Sequence, residues 1–282
     1  MATIPYKKGF DIKPKFTSPL GVVTFTDGRD DIIPNQRQCE AYGYSYDVAT
    51  GTCYAFRFNT NLGRNVNNEN NNIQGARNTT EIGASNVYMM GENNTAKGFS
   101  RNNIIIGSKN EVNNSVSNAN VFGTLGQATA DNSIVLGGNA PADNLSERQI
   151  IQLMYGGQTT TSGTVDSYLN NTAHSYFTIP ANTAMYFHAD ILAVRVGGSS
   201  GSGAVGDFAS FVERGVVINK SGTLSIERER DSIKSSGVVT NWRPTATVDG
   251  TNFIIDVRGQ TDMTLEWASS ITFTQIKTGV TL

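Results

Sequence analysis

Between residues 70 and 139 the chain repeats one short motif: an asparagine, four further residues and a glycine, usually with an apolar residue just before the glycine. The motif starts are 8, 8, 16, 16 and 14 residues apart, so the underlying period is near eight and often doubled. A fixed short period predicts stacked coils, none of which can bury its apolar side alone. The copies are Asn70–Gly75, Asn78–Gly83, Asn86–Gly91, Asn102–Gly107, Asn118–Gly123 and Asn132–Gly137.

The apolar runs before the glycines are three to four residues long, for example at 104–106 and 134–136. Such runs are too short for ordinary sheet pairs but suit one rung of a parallel coil. Glycine and asparagine both tolerate the positive φ that each corner requires. Asparagines at equivalent rungs can also hydrogen-bond along the stack. The run from Asn65 to Asn72 has no apolar rung and fits an asparagine-rich linker instead.

Composition excludes several classes of protein. A net charge of −2 with 16% charged residues offers no clustered basic face for nucleic acid. No run of eighteen apolar residues is present, so we expect no membrane insertion. The first eight residues lack the apolar core of a secretory signal, and we expect synthesis in a cytoplasm.

Cys39 and Cys53 are the only cysteines, and their state stays open. A disulfide between them would stabilise the fold by about 3 kcal/mol in the loop-entropy model. Cytoplasmic synthesis argues for free thiols until release. Two cysteines without a neighbouring histidine are too few to hold structural zinc unaided.

The first 33 residues carry several prolines among short apolar pieces, which predicts an extended arm with one strand. Aromatics then alternate on both sides of the turn at 47–51, which predicts a hairpin within 35–58. Such exposed aromatic surface suits either packing on the arm or docking to a larger assembly. The candidate docking residues are Tyr42, Tyr44, Tyr46, Tyr54 and Phe56.

Residues 141–155 suit either a short neck with a helix capped by Ser146 or a further strand. From residue 156 to 282, eight longer strand-like runs alternate with glycine-containing turns. This pattern predicts an antiparallel β-sandwich, jelly-roll-like in arrangement.

Two segments resemble known families. Asn102-Asn-Ile-Ile-Ile-Gly-Ser-Lys-Asn110 and Asn132-Ser-Ile-Val-Leu-Gly-Gly-Asn139 resemble the head repeats of trimeric autotransporter adhesins, which implies a trimeric, left-handed parallel β-roll. Thr178-Ile-Pro-Ala-Asn-Thr-Ala184, Gly215-Val-Val-Ile, Asn252-Phe-Ile-Ile-Asp-Val-Arg-Gly259 and Leu265-Glu-Trp-Ala268 resemble a β-sandwich at the outer end of bacteriophage fibre proteins. That resemblance carries over no catalytic residue.

The search for catalytic and ligand-binding residues gives few candidates. His174 and His188 form no local ligand pair, so we expect no metal and no cofactor. Four carboxylates are candidates for a polysaccharide-cleaving pair, but solvated charge explains each of them, and we expect no enzyme. Tyr168 and Trp242 lie beside polar loops, where they suit either contact with a glycan or packing in the core. The four carboxylates are Asp190, Glu213, Asp256 and Glu266.

Together these features predict an all-β homotrimeric fibre of a phage virion. Residues 1–60 attach it to other virion proteins, 61–140 form the shaft, 141–155 a neck, and 156–282 a head. The head would bind a host surface glycan or outer-membrane protein through several weak sites at once. The alternatives are a purely structural head or neck fibre, a bacterial trimeric adhesin and a polysaccharide-degrading spike.

Overall fold

The computed structural model describes residues 12–18, 21–48, 50–55, 70–199, 203–236, 239 and 241–278. These residues divide into two compact units, one ending before residue 67 and one beginning after residue 66. Each unit is treated by itself. Within the described residues, no helix is long and apolar enough to cross a membrane.

The first unit is a small β-rich module. Strands β1 (Lys13–Thr17), β2 (Val23–Thr26) and β3 (Asp31–Ile32) form an antiparallel sheet. Helix α1 (Gln36–Ala41) follows, and then a hairpin of β4 (Ser45–Asp47) and β5 (Thr52–Tyr54). Its buried core contains Val23, Phe25, Cys39 and Cys53, and the two cysteines form a disulfide. The disulfide alternative is therefore the one that the structure adopts.

One expectation for this unit is wrong and one is confirmed in part. The described part of the predicted one-strand arm contains three strands, because β1 and β3 both pair with β2. The predicted hairpin around the turn at 47–51 is present as β4 and β5, and a helix that the sequence reasoning did not predict precedes it. Asn35 caps this helix: its side chain accepts from the Gln38 backbone N–H, and the Gln38 side chain accepts from the Asn35 backbone N–H. This reciprocal cap favours a helical turn just before the alternating aromatics begin.

The repeat segment is a β-solenoid of about four turns, as the motif predicts. One parallel sheet is made of five-residue rungs and a second of two-residue rungs. The long rungs are β6 (Asn72–Ala76), β8 (Tyr88–Glu92), β10 (Ile104–Ser108), β12 (Asn120–Thr124) and β14 (Ile134–Gly138). The short rungs are β7 (Thr79–Thr80), β9 (Thr95–Ala96), β11 (Glu111–Val112) and β13 (Gln127–Ala128).

Each coil has sixteen residues, except the last, which has fourteen. The eight-residue spacing of the motif therefore does not correspond to a whole coil. Five motif asparagines occupy one corner with φ between 53° and 62°: Asn70, Asn86, Asn102, Asn118 and Asn132. Asn78 lies at a different corner, which explains the half-length spacing. There Asn78, Asn94 and Asn110 form a buried ladder, in which Asn94 Oδ1 accepts from the Asn110 N–H at 3.0 Å. The predicted hydrogen bonding along the stack is confirmed.

The motif glycines are required by close contact between coils. A Cβ on Gly107 would lie 1.9 Å from the carbonyl oxygen of Gly123 in the next coil, and the same holds for Gly75 over Gly91 and Gly91 over Gly107. Gly107 also has φ of +128°. Only glycine meets both conditions, because it has no Cβ and accepts positive φ.

Five long strands continue the long-rung sheet of the solenoid: β15 (Arg148–Thr159), β18 (Thr183–Gly197), β19 (Phe208–Lys220), β20 (Thr223–Ser235) and β23 (Thr264–Lys277). Their order is β20-β19-β18-β23-β15, and β15 pairs with β14 antiparallel. The helix alternative for the segment after Ser146 is therefore wrong, since Arg148 onward is strand. Its strict alternation of buried and exposed residues explains why a strand forms.

A smaller antiparallel sheet packs against one face of the large sheet that these long strands and the long rungs form. It contains β16 (Thr164–Leu169), β17 (Phe177–Thr178), β21 (Arg243–Asp249) and β22 (Asn252–Arg258), with β22 central. Aromatic side chains fill the space between the two sheets: Phe187 and Phe273 from the large sheet each lie 5.0 Å, centroid to centroid, from Phe253 on β22. The all-β prediction is confirmed. The left-handed roll of autotransporter type, the trimer and a separate sandwich head stay predictions.

Candidate functional site

Two aspartates face each other on the small sheet. Asp166 on β16 is the cross-strand partner of Asp256 on β22, so both side chains point to the same face. That face is the outer one, because the alternate residues Ser167, Ile255 and Val257 are buried toward the core. Directly opposed like charges destabilise a sheet unless something compensates for them.

A raised pKa at Asp256 reduces this repulsion. Burial, followed by the charge of Asp166 and a hydrogen bond to it, raises the pKa of Asp256 to about 6, and Arg228 partly opposes the rise. A like charge beside a carboxyl disfavours its ionised form. Asp256 therefore keeps its proton up to a higher pH than an ordinary aspartate does.

A tyrosine completes the pair. The hydroxyl of Tyr176 donates to Asp166 Oδ2 at 2.6 Å, and this hydrogen bond is the main reason why the pKa of Tyr176 is raised. The ring centroid of Tyr168 lies 5.7 Å from that of Tyr176 and 5.6 Å from that of His174. Both tyrosines are half-buried and His174 is exposed. Three rings thus lie side by side next to the carboxyls.

The turn between β16 and β17 brings these rings together. Asn170, Asn171 and His174 all have positive φ, between 54° and 62°. Asparagine tolerates this conformation better than most residues. The tight turn reverses the chain so that Tyr176 returns beside Tyr168. We call the set Asp166, Tyr168, His174, Tyr176 and Asp256 the tyrosine–carboxyl face.

The chemistry of this face suits an uncharged polar ligand with an apolar side. Ring surfaces stack on flat apolar faces, while the tyrosine hydroxyls and carboxyl oxygens supply donors and acceptors. When Asp256 is protonated, its carboxyl can donate as well as accept. Thr245 on β21 is the other cross-strand neighbour of Asp256 and extends the polar surface.

Glu213 lies near the face but on the core side. Its side chain is fully buried, and Arg228 Nη1 lies 3.5 Å from Glu213 Oε2. Burial raises the pKa of Glu213, and the nearby Arg228 acts against the rise. Arg228 also lowers the pKa of Asp256 and so couples the buried and exposed carboxyls. Because it is buried, Glu213 itself cannot touch a polymer.

The remaining sequence candidates are scattered. Tyr168 and Asp256 come together, as described. Asp190 lies 3.3 Å from His188, and Glu266 accepts from Gln158 at 2.6 Å, both on the outer face of the large sheet. Trp242 is 4% exposed and belongs to the core, so its suggested glycan contact is wrong.

Sequence reasoning missed Asp166 and Tyr176. Asp166 and Tyr168 are two residues apart on a strand, so they share a face. That spacing is a usable signal. No local pattern pairs Asp166 with Asp256, because the two strands are about 90 residues apart in the chain.

The suggested docking aromatics lie in the first unit. Tyr44 packs edge-on against Phe25 with centroids 6.1 Å apart, and the Tyr42 hydroxyl donates to the Ile12 carbonyl. Tyr46 and Tyr54 lie half-buried on the paired strands β4 and β5. Phe56 lies outside the described residues. A docking role for this set stays a prediction.

Comparison with known proteins gives structural similarity only. No family model and no curated protein match the sequence. Among solved structures, the chain is similar to the tailspike protein of Acinetobacter baumannii phage AM24, with 11% identity and a TM-score of 0.28 over 75% of this chain and 50% of that one. The tailspike protein of Acinetobacter phage vB_ApiP_P1 gives 8% identity and a TM-score of 0.24 over 75% and 54%.

A third structure is tailspike protein gp49 from Acinetobacter baumannii bacteriophage Fri1, described as a capsular polysaccharide depolymerase. It gives 8% identity and a TM-score of 0.24 over 73% of this chain and 38% of that one. The chain thus spans about half or less of each tailspike. The expectation that this protein is not an enzyme is corrected by this finding, since one similar structure is described as an enzyme.

Proposed function

We propose that this protein is a fibre or spike component of a phage virion that attaches to polysaccharide on the host cell surface. The observation that carries the proposal is the tyrosine–carboxyl face, where rings and hydrogen-bonding groups lie side by side on an open sheet surface. A sugar ring has an apolar face and polar edges, which this arrangement matches. The proposed class agrees with the tailspikes named above, but the proposal does not rest on that similarity.

The rigid solenoid supports a role in positioning this face. The glycine contacts and the buried asparagine ladder fix one coil on the next, so the rod has little freedom to bend. The proposed assembly is a homotrimer, attached to the virion through the first unit. Three weak saccharide sites held at fixed distances bind a polymer far more strongly than one site does.

Binding can be tested on an array of bacterial capsular polysaccharides and lipopolysaccharides. The full chain should bind a subset of them. Tyr168→Ala should weaken binding to the same subset by roughly tenfold, since losing one ring contact of about 1.4 kcal/mol changes affinity by that factor. Tyr176→Phe should give a smaller loss, because it keeps the ring and removes only the hydroxyl.

Phe16→Ala is the control, because Phe16 is an aromatic that solvent can reach, at 59% exposed, but it belongs to the first unit. It should leave binding unchanged. If Tyr168→Ala binds like the native chain, or if the native chain binds no polysaccharide, the proposed role of this face is wrong.

Cleavage of the bound polysaccharide is a second candidate function. One observation favours it: a carboxyl with a pKa of about 6 can act as a general acid near neutral pH. However, Asp166 and Asp256 hydrogen-bond to each other, whereas paired glycosidase carboxyls stand about 5 Å or more apart. Binding is therefore the first candidate. Release of new reducing ends by the native chain, and its loss in Asp256→Ala, would establish cleavage.

A further inference from the structure

The outer face of the large sheet carries an unusual amount of exposed apolar surface. Of the 20 large hydrophobic residues that are exposed among the described residues, 11 lie on this one face, each between 37% and 55% exposed. They come from solenoid rungs and long strands alike. These residues are Met90, Ile104, Ile134, Leu136, Ile150, Met154, Tyr186, Leu192, Val196, Val216 and Ile276.

Strand register aligns many of these side chains in a single row. Each member is the cross-strand partner of the next, across β8, β10, β12, β14, β15, β23, β18 and β19. Eight strands at about 4.8 Å spacing give a row roughly 34 Å long. We call this row the apolar stripe: Met90, Ile106, Phe122, Leu136, Ile150, Thr274, Tyr186 and Val216.

The exposed area is large enough for a stable interface. If a fully exposed large apolar side chain presents roughly 150 Å², the eleven residues together expose about 700 Å². The largest apolar patch of a typical monomer is about 300 to 600 Å², whereas one side of a standard protein interface is about 800 Å². The eleven residues are spread over this face, and their combined area approaches that of one side of an interface before any polar rim is counted.

We propose that copies of this chain associate around a rotation axis through the apolar stripe. The inference deepens the proposed function, because it names the surface that would hold the homotrimer together. The stripe contains no charged residue, so it offers little to an acidic or basic partner. It crosses the strands, so a rotation axis running alongside it would bring the stripes of all copies together.

At one of its two edges, the sheet carries charges that favour association through the face over strand pairing. Strand β20 is the edge strand there, opposite the solenoid edge at β6, and Glu227-Arg-Glu-Arg-Asp231 places five consecutive charged residues along it. Charged side chains on an edge strand discourage another chain from pairing there. The apolar stripe has no such protection.

The test is the mass of the full chain in solution, measured by size-exclusion chromatography with light scattering. The native chain should have a multiple of its 30.3 kDa monomer mass, threefold for the proposed trimer. Leu136→Lys combined with Ile150→Lys should reduce the mass to that of the monomer. These two residues are cross-strand partners, so the variant places two positive charges at one point of the stripe.

Ile82→Lys is the matched control, since Ile82 is 65% exposed but lies at a solenoid corner off the stripe. It should keep the native mass. Unchanged far-UV circular dichroism would show that each variant folds. A native chain that is monomeric at micromolar concentration would overturn the inference. This holds also if the stripe of that monomer binds a different virion protein. So would a folded double variant that keeps the native mass.

The polysaccharide array separates this inference from the proposed function. A native oligomer that the double variant dissociates, but that binds no polysaccharide, would leave the stripe as the association surface and refute the saccharide role alone. A native monomer that binds polysaccharide would refute the stripe as the association surface and leave the saccharide role standing.

Discussion

Replacing Gly107 by alanine should remove much of the stability of the solenoid. The new Cβ would lie 1.9 Å from the carbonyl oxygen of Gly123, well inside van der Waals contact, and the obstacle is backbone that cannot rotate away. The coil spacing would have to open by more than 1 Å in a stack where every rung bonds to the next. Overpacking of about 1 to 3 kcal/mol and φ strain of about 1 to 2 kcal/mol together predict a loss of roughly 2 to 5 kcal/mol.

Two other glycines separate these contributions. Gly222→Ala has φ of +101° but nothing within 4 Å of its Cβ, so it should show only the φ strain. Gly138→Ala has open space and no positive φ, and should change stability by less than about 0.5 kcal/mol. Urea unfolding of the three variants, followed by circular dichroism, measures the free energy of unfolding of each.

The expected order of stability is Gly138→Ala, then Gly222→Ala, then Gly107→Ala. If Gly107→Ala loses no more than Gly222→Ala, the close approach between coils does not decide the choice of glycine. The motif glycines would then be explained by backbone conformation alone.

Three further predictions concern buried polar groups and the disulfide. Asn94→Ala should cost about 3 to 5 kcal/mol by urea unfolding, because the Asn110 N–H and the Gly107 carbonyl lose the Asn94 side chain as partner. Asn72→Ala, at an exposed rung position, should cost little. Asp256→Asn should stabilise the protein by about 1 kcal/mol at pH 7.5 and by clearly less at pH 4.5, after discounting for solvent exposure. Because the pKa of Asp256 is raised, the native protein is most stable when Asp256 is protonated, and its stability falls as pH rises from 3.8 through about 6. A gain in stability from Asp256→Asn that is equal at both pH values would contradict this prediction. Reducing the Cys39–Cys53 disulfide should destabilise the first unit by about 3 kcal/mol, which would appear as faster proteolysis of that unit. The unfolding midpoint followed by tryptophan fluorescence should not change, because both tryptophans lie in the second unit. A shifted midpoint would contradict this prediction.

The repeat shows how far local sequence can determine structure. Asparagine and glycine at fixed spacing specify corners with positive φ, and the apolar run between them specifies a rung, so the solenoid follows from the sequence alone. The coil length does not, because two different corners of one coil both use asparagine. The asparagine at 78 points inward and the one at 86 sits in a left-handed corner, and only stacking distinguishes them.

The first unit shows which local signals the sequence reasoning used and which it overlooked. The aromatic alternation predicts a hairpin, and its turn and inner strands do form. The reciprocal cap between Asn35 and Gln38, which specifies the preceding helix Gln36–Ala41, is also local but was not recognised. The sequence also left the state of Cys39 and Cys53 open, because thiol and disulfide differ in spatial approach and not in spacing along the chain.

The sequence by itself determined an all-β chain with a stacked repeat, because periodicity and corner residues act over a few neighbouring positions. Tertiary structure alone decided the tyrosine–carboxyl face and the apolar stripe. Asp166 pairs with Asp256 only after strands that are distant in the chain take up one register. The same condition aligns Leu136, Ile150 and Tyr186 in one row. Register is set by burying one face of every strand at once, and that condition belongs to the whole sheet rather than to any segment of it.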